Sequence, residues 1–236
     1  MSVATDAPIV LGRAAGARGN EVVLRVRRAP GGEQDVHELI VGGVFAIDTV
    51  DSSTERLLAT AALDRLSGGR LAVLVGGLGF GYTVRALLAD PRVHQVQVAE
   101  LEPSLVEWLG ADLVPPAAGL LDDPRVTTHV GDVHDVVCTA EPGSLDAILL
   151  DVDNGPSFLV HGTNARVYEA AFLRSCLRRL RPGGVLAIWA ADRSPQLRDS
   201  LEALGAACEE ITQRVERDGR SVEYVVYLAK RAGHGA

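Results

Sequence analysis

The sequence predicts an α/β protein built on a mostly parallel sheet, with a small antiparallel β unit in front of it. Three observations carry this. From Arg70 onward, short apolar runs alternate with helical stretches, the rhythm of strand–helix–strand units. Those runs, such as Leu71–Val75 and Leu145–Leu150, are continuously apolar rather than alternating, which marks strands covered on both faces. Ahead of them lie three or four short strands separated by glycine-rich turns.

In chain order, Ile9–Arg13, Glu21–Arg28 and Val36–Val41 read as strands. They are parted by Gly16-Ala17-Arg18-Gly19-Asn20 and Pro30-Gly31-Gly32. Gly42-Gly43 breaks the third, and Val44–Asp48 is a fourth. The domain reading is a β unit over 1–50 and the larger α/β domain over 51–236. Asp51-Ser52-Ser53-Thr54 supplies capping residues for an Ala/Leu-rich helix over Thr54–Leu66, which Gly68-Gly69 ends. Strands follow at Leu71–Val75, Gln95–Glu100, Val126–Val130, Leu145–Leu150 and Val185–Ala190. Helices are expected at Thr83–Ala89, from Ser104, at Ala165–Leu180 and at Pro195–Leu204. Two last strands, Glu209–Val215 and Val222–Ala229, flank Asp218-Gly219, and a turn that tight makes them antiparallel.

The 236 residues include 23 Lys and Arg against 31 Asp and Glu, a formal charge of −8. That balance disfavours nucleic acid and anionic membranes as partners, since both are held by cationic faces. No apolar run approaches the roughly 20 residues of a membrane span. Met-Ser-Val-Ala-Thr-Asp has no basic stretch leading into an apolar one, so no signal peptide is expected. Cys138, Cys176 and Cys208 lack metal-ligand spacing and are too few for a disulfide framework, so no metal and a cytoplasmic setting are expected. Aromatics are only 4% of the chain, which makes each one worth questioning.

Leu71-Ala72-Val73-Leu74-Val75-Gly76-Gly77-Leu78-Gly79-Phe80-Gly81-Tyr82-Thr83 is a buried strand running through glycines into a helix. Glycines let the backbone turn sharply and lie against a ligand, and a helix N-terminus favours polar or negative groups. Glu100 ends the next strand 19 residues after Gly81, where an acid accepts hydrogen bonds from ribose hydroxyls. The glycines read GxGxG, unlike the GxGxxG of dinucleotide sites, and this resembles motif I of the S-adenosylmethionine (SAM) methyltransferase fold. The resemblance implies a Rossmann-like seven-stranded sheet with an antiparallel last strand. It implies a cofactor site of Gly77, Gly79, Gly81, Glu100 and Leu101, completed by Asp132, Val133 and Asp151, with Asp132 on the adenine amino group. Leu180-Arg181-Pro182-Gly183-Gly184-Val185-Leu186 resembles the turn before that fold's fifth strand.

A narrower likeness covers nearly the whole chain. Val73-Leu74-Val75-Gly76-Gly77 with Gly79, Gly81, Thr83 and Arg85 resembles the loop of spermidine synthases, the polyamine aminopropyltransferases. Val98-Ala99-Glu100-Leu101-Glu102-Pro103 and the acidic stretch Leu149-Leu150-Asp151-Val152-Asp153-Asn154-Gly155-Pro156 do so as well. The family resemblance implies a homodimer or higher oligomer acting on a small-molecule acceptor. Departures accompany it. Phe80 stands where the family's loop has an acid for the free amine of decarboxylated SAM. Asp151 and Asp153 are spaced by one residue instead of two, and Leu58, Ala59 and Thr60 replace a Tyr-His-Glu after a retained Glu55-Arg56.

These departures lead to the expectation of a small-molecule methyltransferase using intact SAM on a spermidine-synthase scaffold. Aminopropyl transfer from decarboxylated SAM is the alternative, and a non-catalytic nucleotide-binding scaffold a further one. Either reaction aligns a nucleophile with a carbon on sulfonium sulfur, so the protein must orient and deprotonate. Asp151, at the C-terminal end of a central strand, is the first catalytic candidate; Asp153 and His161 are the others. Phe80 and Tyr82 are candidates to line the sulfonium pocket, whereas Trp189 reads as core.

Overall fold

The computed structural model describes residues 7–28, 35–152, 162–217 and 220–233. The Pro30-Gly31-Gly32 and Asp218-Gly219 turns, and the candidates Asp153 and His161, lie outside the described residues.

Strands β1 (Ile9–Ala15), β2 (Glu21–Arg27), β3 (Val36–Val41) and β4 (Val44–Asp48) form an antiparallel meander. Helix α1 (Ser53–Leu63) follows. Asp51 meets one of its free amides, its Oδ1 accepting from the Ser53 N–H at 2.7 Å, while Ser52 at the cap position makes no side-chain cap bond. The second sheet holds β5 (Leu71–Gly76), β6 (Val93–Glu100), β7 (Val126–Val130), β8 (Leu145–Leu150), β9 (Leu180–Ala190), β10 (Ala207–Arg217) and β11 (Arg220–Lys230). Its order is β10-β11-β9-β8-β5-β6-β7. The β5/β6, β5/β8, β6/β7 and β8/β9 pairs are parallel; β11 runs against both β9 and β10. This is the Rossmann-like seven-stranded, methyltransferase-type sheet with an antiparallel last strand.

Strand periodicity divides the core in two. Val73, Val75, Val96, Val98 and Leu149 face α1, α2 (Tyr82–Leu88) and α3 (Pro103–Gly110). Val22, Leu24, Leu39 and Val41 of the small sheet join that same core. Ala72, Leu74, Ile148, Leu150 and Ile188 face the other way, against α4 (Val133–Thr139), α5 (Ala170–Arg179) and α6 (Pro195–Ala203). Each fully buried Leu or Val here contributes about 1.5–3 kcal/mol.

Three elements depart from expectation. The helix α4 was not expected, because Val133, Val136, Val137 and Thr139 are weak helix formers. Asp132 caps it, its Oδ1 accepting from the His134 N–H at 2.9 Å. The expected Ala165–Leu180 helix is a 3₁₀ segment over Gly162–Tyr168 and then α5 from Ala170. Arg181-Pro182-Gly183-Gly184 is no turn before β9 but an irregularity within it: the register jumps between Leu145↔Leu180 and Ala147↔Val185, with Gly183 at φ 82°.

Candidate active site

The C-terminal ends of the parallel strands open into one cleft of about 440 Å³, closed on one side by Leu39, Val41, Phe45, Ala46 and Ile47 of the small sheet. Strand order places its parts. Gly77 follows β5, Glu100 ends β6 and Asp132 follows β7 at one end, Asp151 follows β8 in the middle, and Trp189 and Tyr224 of β9 and β11 stand beyond it.

The glycine loop is shaped by close approach. Gly77 has φ 89°, and a Cβ there would sit 2.0 Å from the Asp151 carbonyl oxygen, so only glycine lets this turn lie against the end of β8. The Asp151 N–H completes the junction by donating to Gly76 O at 2.8 Å. Gly79 also lines the cleft. Gly81 does not: it caps α2 in the left-handed conformation and faces Leu120. Phe80 and Tyr82 do not line it either. Both are buried in the core on the α2 side, so the loop's aromatics pack rather than meet a ligand.

Glu100 lies at the floor, 7% exposed. Its Oε2 accepts from the Leu78 N–H at 2.7 Å and its Oε1 from the Glu102 N–H at 2.8 Å. Burial pushes its carboxyl above the usual range, with those amides opposing. Leu101 and Val133 line the cleft beside it. Asp132 accepts from Arg18 Nη2 at 2.9 Å and from Arg166 Nη2, both on Oδ2. Burial alone would raise its pKa, but the His134 amide, Arg166 and Arg18 together hold it below the ordinary value.

Asp151, in the middle of the cleft, is strongly perturbed. Burial first, then the charges of Glu55 and Glu100, push its carboxyl up to about 7, with the Thr83 hydroxyl pulling the other way. Glu55, in the first turn of α1, lines the same wall. With Glu100, Glu102, Asp132, Asp151 and Asp192 it makes six acids among the described lining residues, and none of those residues is Lys or Arg. Among the described residues no three His, Cys, Asp or Glu converge as metal ligands.

Sequence reasoning missed the roles of Glu55, noticed only as a retained residue, and of Trp189. The indole lines the cleft and stacks on Tyr224, centroids 5.3 Å apart at 29°. Its position at the C-terminal end of a central parallel strand was the available signal. The seven expected positions Gly77, Gly79, Glu100, Leu101, Asp132, Val133 and Asp151 are gathered in this one cleft.

The spermine/spermidine synthase domain model matches residues 37–219. The polyamine aminopropyltransferase of Mycobacterium tuberculosis is 33% identical over 139 residues, 58% of this chain and 25% of that protein. Spermidine synthase 2 of Datura stramonium is 26% identical over 195 residues, 76% of this chain and 58% of that protein. The chain thus spans from a quarter to under three-fifths of these relatives' length. Among solved structures, spermidine synthase from Thermotoga maritima superposes with a TM-score of 0.73 at 15% identity, covering 96% of this chain and 74% of that one. A spermidine synthase bound to the transition-state analogue AdoDATO gives 0.73 at 16%, covering 96% and 73%. At such identities the superpositions speak for the fold. The domain match and the relatives overturn methyl transfer to a small molecule, the reaction expected from Phe80 and its neighbouring departures.

Proposed function

The chain belongs to the spermine/spermidine synthase domain family, and on that premise we propose that it transfers an aminopropyl group from decarboxylated SAM to an amine. The observation that carries this is the charge of the cleft: six acids and no Lys or Arg among its described lining residues. Asp151 shows the effect most directly: burial and the charges of Glu55 and Glu100 push its carboxyl up to about 7, and a cationic group placed against it would offset that. Intact SAM would bring its own α-carboxylate into this group of acids. Decarboxylated SAM brings a sulfonium and an ammonium and no anion.

In this reading the Gly77–Gly79 backbone and Glu100 hold the nucleoside. Glu100 keeps acceptor positions beyond its two amide bonds for ribose hydroxyls. Asp132 faces the base. Asp151 and Glu55 flank the reacting centre. The sulfonium supplies the leaving group: the acceptor nitrogen bonds to the aminopropyl carbon next to sulfur, and the C–S pair leaves on sulfur as the neutral thioether methylthioadenosine. The amine proton goes to Asp151, whose pKa near 7 suits a base at neutral pH. Beyond Asp151 the acceptor's other end meets the Trp189–Tyr224 pair one to two strand spacings away, about 5–10 Å. That distance suits a short linear diamine, its far ammonium over the rings.

The same reading includes a homodimer or higher oligomer. Exposed Ile9, Val10 and Leu11 on the edge strand β1 support it, and light scattering of the purified chain tests it.

The deciding experiment compares thermal stabilisation by decarboxylated SAM, SAM and methylthioadenosine at matched concentrations, alongside amine-dependent release of methylthioadenosine. A ligand at 100 times its Kd adds about 2.7 kcal/mol. Decarboxylated SAM is expected to stabilise most and to support release. Equal or stronger stabilisation by SAM, without release, would overturn the proposal.

A further inference from the structure

The β1–β2 turn reaches the nucleoside end of the cleft from far away in sequence. The Ala17 N–H donates to Glu102 Oε2 at 2.9 Å, and Arg18 Nη2 to Asp132 Oδ2 at 2.9 Å. Gly16 makes this seating possible. A Cβ there would lie 2.8 Å from Glu102 Oε2, 2.8 Å from Asn20 O and 2.9 Å from Val22 Cγ2. From the opposite side Arg166, on the 3₁₀ segment Gly162–Tyr168, bonds the same Asp132 oxygen. The Asp132 Oδ1 is held by the His134 N–H at 2.9 Å.

Three charge-assisted or backbone bonds therefore fix both oxygens of one carboxylate and leave it no freedom to rotate. A carboxylate has about four acceptor positions, so Oδ1 retains one. An ionised, immobilised acceptor of this kind reads a ligand N–H and rejects a ligand carbonyl at the same place. We propose that Arg18 and Arg166 are positioning residues that hold Asp132 to select a purine bearing a 6-amino group. The contact ties the small sheet to the nucleoside end of the cleft, which gives the N-terminal meander a part in donor recognition. The inference rests on the nucleoside-donor reading above.

The test uses calorimetric titration of the full chain with two probes, 5′-methylthioadenosine and 5′-methylthioinosine, which differ in amino against oxo at position 6. The parent is expected to favour the amino compound by roughly tenfold or more, the weight of a hydrogen bond to a charged group. Arg18→Ala and Arg166→Ala are each expected to lose most of that ratio through weaker binding of the amino compound, with affinity for the oxo compound little changed. Arg18→Lys is expected to restore part of it. Loss of both affinities in step, with the ratio intact, would show a merely structural contact and overturn the proposal. Should Arg166→Ala fail to fold, Arg18→Ala and Arg18→Lys decide it alone. A parent that binds neither probe would instead sink the nucleoside reading on which the inference stands.

Discussion

Asp151→Asn tests whether the cleft holds unbalanced negative charge in wait for a cation. Burial and the charges of Glu55 and Glu100 raise the Asp151 carboxyl to about 7, whereas the unfolded chain titrates there near ~3.9. About three units at ~1.4 kcal/mol each set a ceiling near ~4 kcal/mol on the cost of ionising it in the folded protein. Asp151 keeps some surface open to water in the cleft, which halves the expected cost to about 2 kcal/mol. The sign follows from proton counting. Between the two pKa values the folded chain binds more protons than the unfolded one, so stability falls as pH rises from about 4 to about 7 and then levels. Asparagine occupies the same space, still accepts from Thr83, and carries no charge. The variant is therefore expected to exceed the parent by about 2 kcal/mol at pH 8, a rise of roughly 4–8 °C in Tm for a chain of this size. The difference closes toward pH 4. Differential scanning calorimetry of both proteins without ligand at pH 4, 6 and 8 measures it. A parent as stable as the variant at pH 8 would refute the charge argument. The same variant is expected to lose amine-dependent turnover, and undiminished turnover would move the base elsewhere.

Glu100→Ala strips the partner from the buried Leu78 and Glu102 amides, so a loss of about 2–5 kcal/mol in chemical denaturation is expected together with loss of nucleoside binding in titration. Gly77→Ala drives a Cβ to 2.0 Å from backbone at φ 89°, whereas Gly79→Ala, at φ 50°, places its Cβ 3.3 Å from the Ile47 Cδ1 alone. The first is expected to lower Tm far more than the second, and equal losses would contradict the packing described for the loop. Trp189→Leu keeps apolar bulk and removes the ring. It is expected to raise KM for a diamine acceptor about tenfold while the Kd of decarboxylated SAM stays fixed.

What the sequence disclosed follows from how each element is stabilised. Strands β5 and β8 are covered on both faces, so their apolar runs announce them without help from the rest of the chain. Helix α4 depends on what surrounds it: buried Val133 and Val137 and the Asp132 cap outweigh a run of β-branched residues. The Arg181–Gly184 stretch carries every mark of a turn, yet pairing on both sides carries it through β9 as an irregularity. The local turn chemistry is present there, and tertiary pairing prevails over it.

The site was harder to read for a related reason. Spacing in a motif places a residue in a loop but not the direction of its side chain. Phe80 sits in the ligand loop and points into the core, so a residue aligned with a family acid removes nothing from the cleft wall. The acids that do line that wall come from α1, from β6 and the residues just after it, and from just after β7, β8 and β9, spread from Glu55 to Asp192, and only folding sums their charges. The net charge of −8 hides this, because it averages sites that are already balanced. Glu38 lies between Arg25 and Arg27, Asp90 is paired with Arg92 and Asp123 with Arg125. Apart from those pairs, six acids gather in the cleft, where no Lys or Arg is among the described lining residues. Asp132, clasped by Arg18 and Arg166, has its carboxyl held low, while Asp151 rises. The contrast separates an acid whose charge the protein already offsets from one whose charge its surroundings oppose.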